Sequence, residues 1–344
     1  MLAGKVRPLI IPVFIPFQGC PHRCVFCDQE RISSQQGKKI GKGHVEKILN
    51  KAVHSNGFDP QRKPEVAFYG GTFTNLPFDQ IEDLLEAVAP FIEQRLISTI
   101  RVSTRPDALD EKRLKVMMEK GVSIVELGVQ SMDNRVLDLS GRGHSAEDSV
   151  RAVELLKRYG FRVGVQLMPG LPGDSRDRSY STVKKVLDLR PDMVRLYPAV
   201  VIRGTGLADL YEKGRYQPQG LDEAVDICME SCIQFEDEGI PVIRMGLMSS
   251  PSLLEEGQII AGPWHPAFGF LVRSAIYQRR IESELPGPGE VLHITIKVPG
   301  RDIPLIRGYK NEGLKKIEDR TGATVVRIEV DDSIPEGRVK VEKI

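Results

Sequence analysis

The sequence predicts an α/β fold: a parallel sheet curled into an open, TIM-like (β/α)6 partial barrel, then a helical extension, then a small α+β module. Three observations predict it. Between residues 9 and 197, strand-like and helix-like segments alternate through six repeats, which implies a parallel sheet with crossover helices. In four of those strands only one face is apolar, whereas a sheet covered by helices on both sides is apolar on both. The polar, glycine-rich face fits a hydrated, ligand-filled lumen. After Pro286-Gly-Pro-Gly-Glu290 the pattern changes to β-α-α-β-β, as expected beyond a linker. The expected division is 1–205 for the barrel, 206–285 for the extension and 291–344 for the module.

Taken in order, Leu9–Ile15 is a buried strand that leads directly into a cysteine-bearing loop. Val45, Ile48, Leu49 and Val53 then recur at helical spacing. Glu65–Tyr69 is a strand, and Ile81, Leu84, Leu85, Val88 and Ile92 form one stripe of a helix over Phe78–Gln94. Strand Thr99–Ser103 precedes helix Asp110–Lys120. Strand Ser123–Gln130 precedes a short helix near Asn134–Leu139 and a longer one over Ala146–Tyr159. Strand Phe161–Met168, helix Tyr180–Leu189 and strand Asp192–Tyr197 complete the repeats. Parity fixes the faces. Val125, Leu127 and Val129 oppose Glu126, Gly128 and Gln130, while Val194 and Leu196 oppose Arg195 and Tyr197. The extension brings a long helix over Leu221–Glu238, a further candidate strand at Pro241–Met245, and the loop Gly262–Gly269 with the only tryptophan. An amphipathic helix follows, to about Leu285.

The chain has 344 residues, 41% hydrophobic and 28% charged, values ordinary for a globular protein. No apolar run approaches the ~18 residues of a membrane span, and Met1–Pro8 shows no signal-peptide pattern. A membrane is not expected, and the cytoplasm is. Net charge is +1, so whole-protein electrostatics do not announce a nucleic-acid partner. Five cysteines, three of them clustered, argue against a disulfide framework and for a reducing compartment.

Cys20, Cys24 and Cys27 stand at C-x3-C-x2-C. Thiolates are soft ligands that suit zinc, Cu(I) or iron–sulfur clusters. Structural zinc wants a fourth ligand at a matching short spacing, and a tight loop does not easily turn His22 onto the same metal. Three cysteines without a nearby fourth fit a [4Fe–4S] cluster with one open iron, with a zinc knuckle as the alternative. Cys228 and Cys232 sit one turn apart on an apolar stripe with Leu221, Val225 and Phe235, and read as core packing.

With Phe26 just before the third cysteine, this loop resembles the signature of the radical S-adenosylmethionine (SAM) superfamily. Gly70-Gly71-Thr72, closing the second strand, is similar to its glycine-rich segment. Ser103-Thr-Arg-Pro-Asp107, Glu126–Ser131, Gly141-Arg-Gly-His144, Met168–Pro172 and Arg195–Leu207 look like the radical SAM domain of the catalytic subunit of Elongator. That likeness covers roughly residues 8–216, and the enzyme class modifies wobble uridine in tRNA. The first cysteine gap is shorter than in that subunit, and nothing up to Ile344 resembles its acetyltransferase domain. What carries over is the radical chemistry, not the acetyl-CoA-derived product.

The resemblance implies roles. Cys20, Cys24 and Cys27 would ligate three irons, with SAM on the fourth; an electron from a small donor such as ferredoxin or flavodoxin would yield a 5′-deoxyadenosyl radical. Gly70, Gly71 and Thr72 would hold the SAM amine, Ser103 and Arg105 its carboxylate, and Glu126 or Gln130 the ribose. The backbone at Phe26 and the Met168–Leu171 turn would meet the adenine. No residue is singled out as catalytic. Arg105 and Arg195 also read as strand-end salt bridges, and His144 and His265 as solvated or structural. A side chain at Gly71 is expected to block SAM while leaving the cluster in place.

In the last segment Leu292, Ile294, Ile296 and Val298 alternate, followed by a helical stretch to Ile317, then Thr321-Gly-Ala and strands Thr324–Val330 and Arg338–Ile344. This resembles a KH domain, whose G-x-x-G loop grips nucleic-acid backbone. The matching positions are Gly308-Tyr-Lys-Asn311, with asparagine, a residue tolerant of left-handed backbone, in place of the second glycine. The implied RNA contacts are Arg307, Gly308, Lys310, Asn311, Lys315 and Lys316. The expected function is therefore a radical SAM enzyme that modifies RNA, with tRNA favoured. The alternatives are a radical SAM enzyme acting on a small molecule, and a non-catalytic RNA-binding protein whose cluster is structural or redox-sensing.

Overall fold

The computed structural model describes residues 8–34 and 40–344; residues 1–7, on which the reading of the N-terminal start rests, lie outside the described residues. The chain runs β1 (Ile10–Phe14), α1 (Gln29–Ser33), α2 (Lys42–Val53), β2 (Glu65–Tyr69), α3 (Phe78–Glu86), α4 (Ala89–Glu93), β3 (Thr99–Thr104) and α5 (Glu111–Glu119). Next come β4 (Val122–Gln130), α6 (Asn134–Leu139), α7 (Ala146–Arg158), β5 (Arg162–Leu167), α8 (Arg176–Leu189), β6 (Met193–Leu196), β7 (Val201–Ile202) and α9 (Gly206–Glu212). The remainder is α10 (Leu221–Asp237), β8 (Val242–Met245), β9 (Ile259–Ala261), α11 (Phe268–Ile281), β10 (His293–Val298), α12 (Ile303–Arg307), α13 (Glu312–Thr321), β11 (Thr324–Val330) and β12 (Lys340–Lys343).

Seven strands form one sheet in the order β1-β2-β3-β4-β5-β6-β8, and every neighbouring pair is parallel. All the expected strands are present, and the candidate strand of the extension joins them at the edge. One face carries Phe68, Val102, Leu127, Val165 and Leu196 into a single apolar core. Against it pack Leu49 of α2, Leu84 of α3, Leu114 of α5, Leu156 of α7, Val186 of α8 and Phe235 of α10. Each such side chain, fully removed from water, contributes about 1.5–3 kcal/mol. The opposite face carries Glu65, Arg101, Glu126, Gln166 and Arg195, all of which line a cavity.

Helix starts follow local chemistry. Asp110, Asp133 and Thr205 cap α5, α6 and α9, and Ser145 with Asp148 forms a capping box on α7. Two boundaries differ from the sequence reading. The helix expected over Phe78–Gln94 is two helices, parted at Ala87–Val88, because Pro90 has no N–H to continue the ladder. Helix α8 begins four residues before Tyr180, at Arg176, since Ser175 accepts from the Arg178 N–H.

Strands β7 and β9 form a small antiparallel pair, and β11-β10-β12 a separate sheet in which β10 is parallel to β11 and antiparallel to β12. The core over that second sheet joins Ile294, Ile296, Val298, Ile306 and Ile317 to Tyr277 and Ile281 of α11. The same helix gives Val272 and Ile276 to the main core. Among the described residues no helix is long and apolar enough to cross a membrane.

Candidate active site

The lumen is a cavity of about 1610 Å3. Its lining includes Cys20, Cys24, Cys27, Phe26, Gly70, Gly71, Thr72, Ser103, Arg105, Glu126, Gln130 and Met168. These residues therefore border one space, although they come from the loop after β1 and from strands β2 to β5 with the turns that follow them; of the Met168–Leu171 turn only Met168 lines it.

The cysteine loop is held by contacts from distant sequence. The Gln29 side-chain oxygen accepts from the N–H groups of Phe17 (2.5 Å) and Gly71 (2.7 Å), and the Thr72 N–H donates to the Gln18 carbonyl at 2.8 Å. Cys20 Sγ lies 3.3 Å from Thr72 Oγ1. On the other side the Val25 N–H donates to the Ser140 carbonyl (3.1 Å), and its own carbonyl accepts from the Leu207 N–H (2.7 Å). His22 is turned away, its Nε2 3.0 Å from the Arg142 carbonyl.

All five cysteines are free. Burial, with Cys24 and Cys20 close by, pushes the Cys27 thiol up to about 12, and burial also raises Cys20. Iron that binds such thiols displaces their protons. Among the described residues no three His, Cys, Asp or Glu side chains close on a point that could hold a single metal ion. A zinc knuckle needs that convergence, with each sulfur about 2.3 Å from one ion. A [4Fe–4S] cluster takes each thiolate on a different iron, and three free thiols bordering one cavity fit that donor set.

Gly71 is the tightest point of the glycine segment. Its φ is +62°, and a Cβ there would lie 2.3 Å from the Gln18 carbonyl oxygen and 2.7 Å from that of Ile15. Those atoms belong to the base of the cysteine loop, so a side chain at Gly71 presses on that loop, a contact the sequence expectation did not include. The N–H groups of Gly71 and Thr72 are already donated. An ammonium group only donates, so what this segment can offer it is carbonyl oxygen.

The other assigned residues divide into two groups. Phe26 and Met168 share one apolar cluster with Val136, Leu171 and Ala199. Ser103 is half-buried on the lumen wall. Gln130, at φ +68°, accepts at its side-chain oxygen from Gln166 Nε2 at 3.2 Å. Arg105 and Glu126 instead have strong internal partners. Arg105 grips Asp107 with two nitrogens, at 2.9 and 2.8 Å, and also donates to the Arg142 carbonyl. Glu126 is paired with Arg101 at 2.5 Å and Arg195 at 2.8 Å.

This buried ion network continues from Arg101 to Glu65 at 2.5 Å and from Arg195 to the Tyr69 hydroxyl at 2.6 Å. Arg195 also lies over the Tyr69 ring, 4.9 Å from its centroid. Burial alone would lower the Arg195 pKa, but Glu126, Tyr197 and Tyr69 raise it above the ordinary value. The network fixes donors and acceptors in the middle of the lumen, between the cysteine end and the start of the strands.

Arg142 was not assigned from sequence. It is buried, with Nη1 3.0 Å from Cys24 Sγ and Nη2 donating to the Gly128 carbonyl at 2.6 Å. It sits in the Gly141-Arg-Gly-His144 stretch, whose two glycines at positive φ were the available signal of a shaped loop. Next to it His144 is buried rather than solvated, and burial first, then Arg142, holds its pKa down at about 4.

The residues that the resemblance assigned to nucleic acid do not line the lumen. Arg307, Lys310, Asn311, Lys315 and Lys316 are exposed, and Gly308 is half-buried. Gly308, Lys310 and Asn311 all have positive φ (68°, 51° and 64°), the backbone region that asparagine tolerates. Lys310, Asn311 and Lys315 border a shallow cleft with Glu312, Glu318 and Asp319.

Comparison with known proteins adds to this geometry. The radical SAM superfamily model matches residues 14–186, and a radical SAM C-terminal domain model matches residues 191–278. A tRNA uridine(34) acetyltransferase of Methanocaldococcus jannaschii is 31% identical over 63% of this chain and 47% of its own length. Elongator complex protein 3 of Saccharomyces cerevisiae is 31% identical over 48% of this chain and 33% of its own length. The chain thus spans about half the length, or less, of these relatives. The solved archaeal Elp3 of Methanocaldococcus infernus, lacking its N-terminus, superposes with a TM-score of 0.61 at 24% identity, covering 79% of this chain and 63% of that one. At that identity the likeness is one of fold.

Proposed function

We propose that this chain, which belongs to the radical SAM superfamily, modifies RNA, and that its substrate is tRNA. The observation that carries the chemistry is the convergence of three free, clustered thiols and a glycine segment on one end of a polar lumen. The likeness to a tRNA uridine(34) acetyltransferase supports the choice of substrate.

In this reading Cys20, Cys24 and Cys27 hold the [4Fe–4S] cluster, and Arg142 steadies Cys24. When bound, the cluster and SAM supply a strongly oxidising carbon radical that abstracts hydrogen; the protein positions the reactants and excludes water. Carbonyls of Gly70–Thr72 accept from the SAM amine. Phe26 and Met168 flank the adenine, and Ser103, Arg105, Glu126 and Gln130 serve the carboxylate and ribose. Arg105 and Glu126 do so while keeping their internal ion pairs, which fixes their orientation. Residues 291–344 act as a KH-like clamp through Arg307, Gly308, Lys310, Asn311, Lys315 and Lys316, beside a barrel over 1–205 and an extension over 206–285. The protein works in the cytoplasm, where a ferredoxin or flavodoxin is the reductant.

Anaerobic reconstitution with SAM and dithionite tests the chemistry: an enzyme forms 5′-deoxyadenosine, and a structural or redox-sensing cluster does not. Mass spectrometry of tRNA nucleosides from a strain lacking the protein tests the substrate. An unchanged nucleoside profile would rule tRNA out and favour a small molecule.

A further inference from the structure

We propose that Arg244, beside Arg195 on the lumen wall, is an oxyanion site, and that it takes the phosphate or carboxylate of a small organic ligand bound in the lumen together with SAM. The proposal goes beyond the tRNA reading and is tested apart from it.

Strand β8 joins β6 with a break in register. Val194 pairs with Val242, but Arg195 pairs with Arg244 and Leu196 with Met245, so Ile243 is an extra residue. In unbroken register Arg195 would pair with Ile243, and Arg244 with Leu196, which is buried in the main core. The bulge instead puts Arg244 on the lumen face, level with Arg195, and returns Met245 to the core side. Bulges at sheet edges re-aim side chains in this way and gather next to active sites. Two guanidinium groups paired across neighbouring strands, with backbones about 4.8 Å apart, repel each other. A bound anion turns that repulsion into attraction.

No carboxylate of the chain does so. Nine arginines and one lysine line the cavity against three glutamates. Arg101 and Arg195 balance Glu65 and Glu126, while Arg273 and Arg280 hold Glu236. Arg244 is exposed to the lumen, and among the described residues its side chain has no ion pair or hydrogen bond. Arg195 is fixed by Glu126 and the Tyr69 hydroxyl, and its buried Nε has no partner among the described residues. One fixed and one unpaired guanidinium side by side suit a phosphate or carboxylate, which accepts forked hydrogen bonds.

SAM leaves this pair unused. None of the residues that the resemblance gives to SAM lies on β6 or β8. The cavity, at about 1610 Å3, also exceeds the ~300–1,000 Å3 of a pocket for one small ligand. Leu247 and Met248, just beyond Arg244 in the chain, line the same space. They favour an anion with a short apolar body over a bare inorganic ion.

The test uses the full chain with its cluster reconstituted and SAM at saturation. Butyl phosphate and butyrate are the probes, butanol is the uncharged control, and ligand-observed NMR gives the affinities. At least one of the two anions should bind, and butanol should not. Arg244→Gln should weaken that binding at least about tenfold, the loss of one charged hydrogen bond. Arg244→Lys, which keeps the charge and loses the fork, should weaken it less. Lys184→Gln, an equal loss of charge at an exposed position of α8, should change nothing. Iron content equal to wild type shows that each variant is folded. No binding of either anion, binding untouched by Arg244→Gln, or an equal loss in Lys184→Gln overturns the site. A fall in SAM affinity in Arg244→Gln also overturns it, since the guanidinium would then serve SAM itself. A short single-stranded RNA that displaces the probe would make the oxyanion a phosphodiester and overturn the small ligand; RNA that leaves the probe bound supports it. The tRNA reading is decided separately, by the nucleoside profile.

Discussion

Two sets of cysteines in this chain have the same side chain and opposite surroundings. Cys20, Cys24 and Cys27 border an open lumen, with Arg142 against Cys24 and Thr72 against Cys20. Cys228 and Cys232 are sealed in the main core beside Phe235 and Ala224. Burial raises Cys20 and Cys27 in the first set and both cysteines of the second, Cys27 and Cys232 each to about 12. Thiol acidity therefore does not separate them. What separates them is access to a space large enough for a ligand, and the direct contact of the Arg142 guanidinium with Cys24 sulfur.

The largest test of that contrast is loss of metal. Cys27→Ala should lose most of its iron and sulfide after reconstitution. The Cys228→Ala/Cys232→Ala double variant should keep all of it and lose only about 1–2 kcal/mol of stability from lighter packing. If that double variant loses half its iron or more, the contrast collapses.

Next in size is Gly71→Val, expected to fail in SAM binding and in iron content together, since its Cβ strikes the carbonyls beneath the cysteine loop. Equilibrium dialysis and iron analysis on one sample decide it; full iron with no SAM binding would show that the two loops are less tightly coupled than their contacts imply.

A smaller effect concerns His144, which the ligand loop's surroundings keep neutral. Its folded pKa lies below the ordinary 6.5, at about 4, so the unfolded chain binds the extra proton first. The stability from neutral His144 is present above pH 6.5 and lost as pH falls toward 4, about 2 kcal/mol between pH 7 and pH 5. Urea unfolding of wild type and His144→Gln at those two pH values should show the variant losing less. Equal losses would mean that the buried imidazole is not what titrates.

The smallest expected change is in redox poise. Arg142→Gln removes a charged donor from Cys24 and should lower the cluster potential by on the order of tens of millivolts, read by anaerobic titration. An unchanged potential would reduce Arg142 to a loop brace.

Much of this was legible in the chain because strands alternate. Glu126, Gln166 and Arg195 fall on the lumen side by parity alone, and the C-x3-C-x2-C spacing fixed the ligand loop. Arg142 was not legible as a partner of Cys24, because it reaches Cys24 across 118 positions from a loop with no periodicity. The partners of Glu126 were hidden for a related reason: parity says which face a residue takes, not which neighbour across the lumen is long enough to meet it. The break at Ala87–Val88 was missed because the apolar stripe continues through it even though the hydrogen-bond ladder does not. Pro90 was the signal. Ser175 likewise marked the true start of α8.

Helix α11 places Val272 and Ile276 in one core and Tyr277 and Ile281 in the other. Consecutive residues 276 and 277 thus close two interiors at once. Neither interior can open without uncovering this helix, so the barrel and the last module should melt as one cooperative unit in calorimetry. Amide protons of α11 should be among the slowest to exchange in the molecule. A cut after Glu290 would then leave Tyr277 and Ile281 facing water, and the shortened chain would be expected to stick to its own copies through that bared stripe.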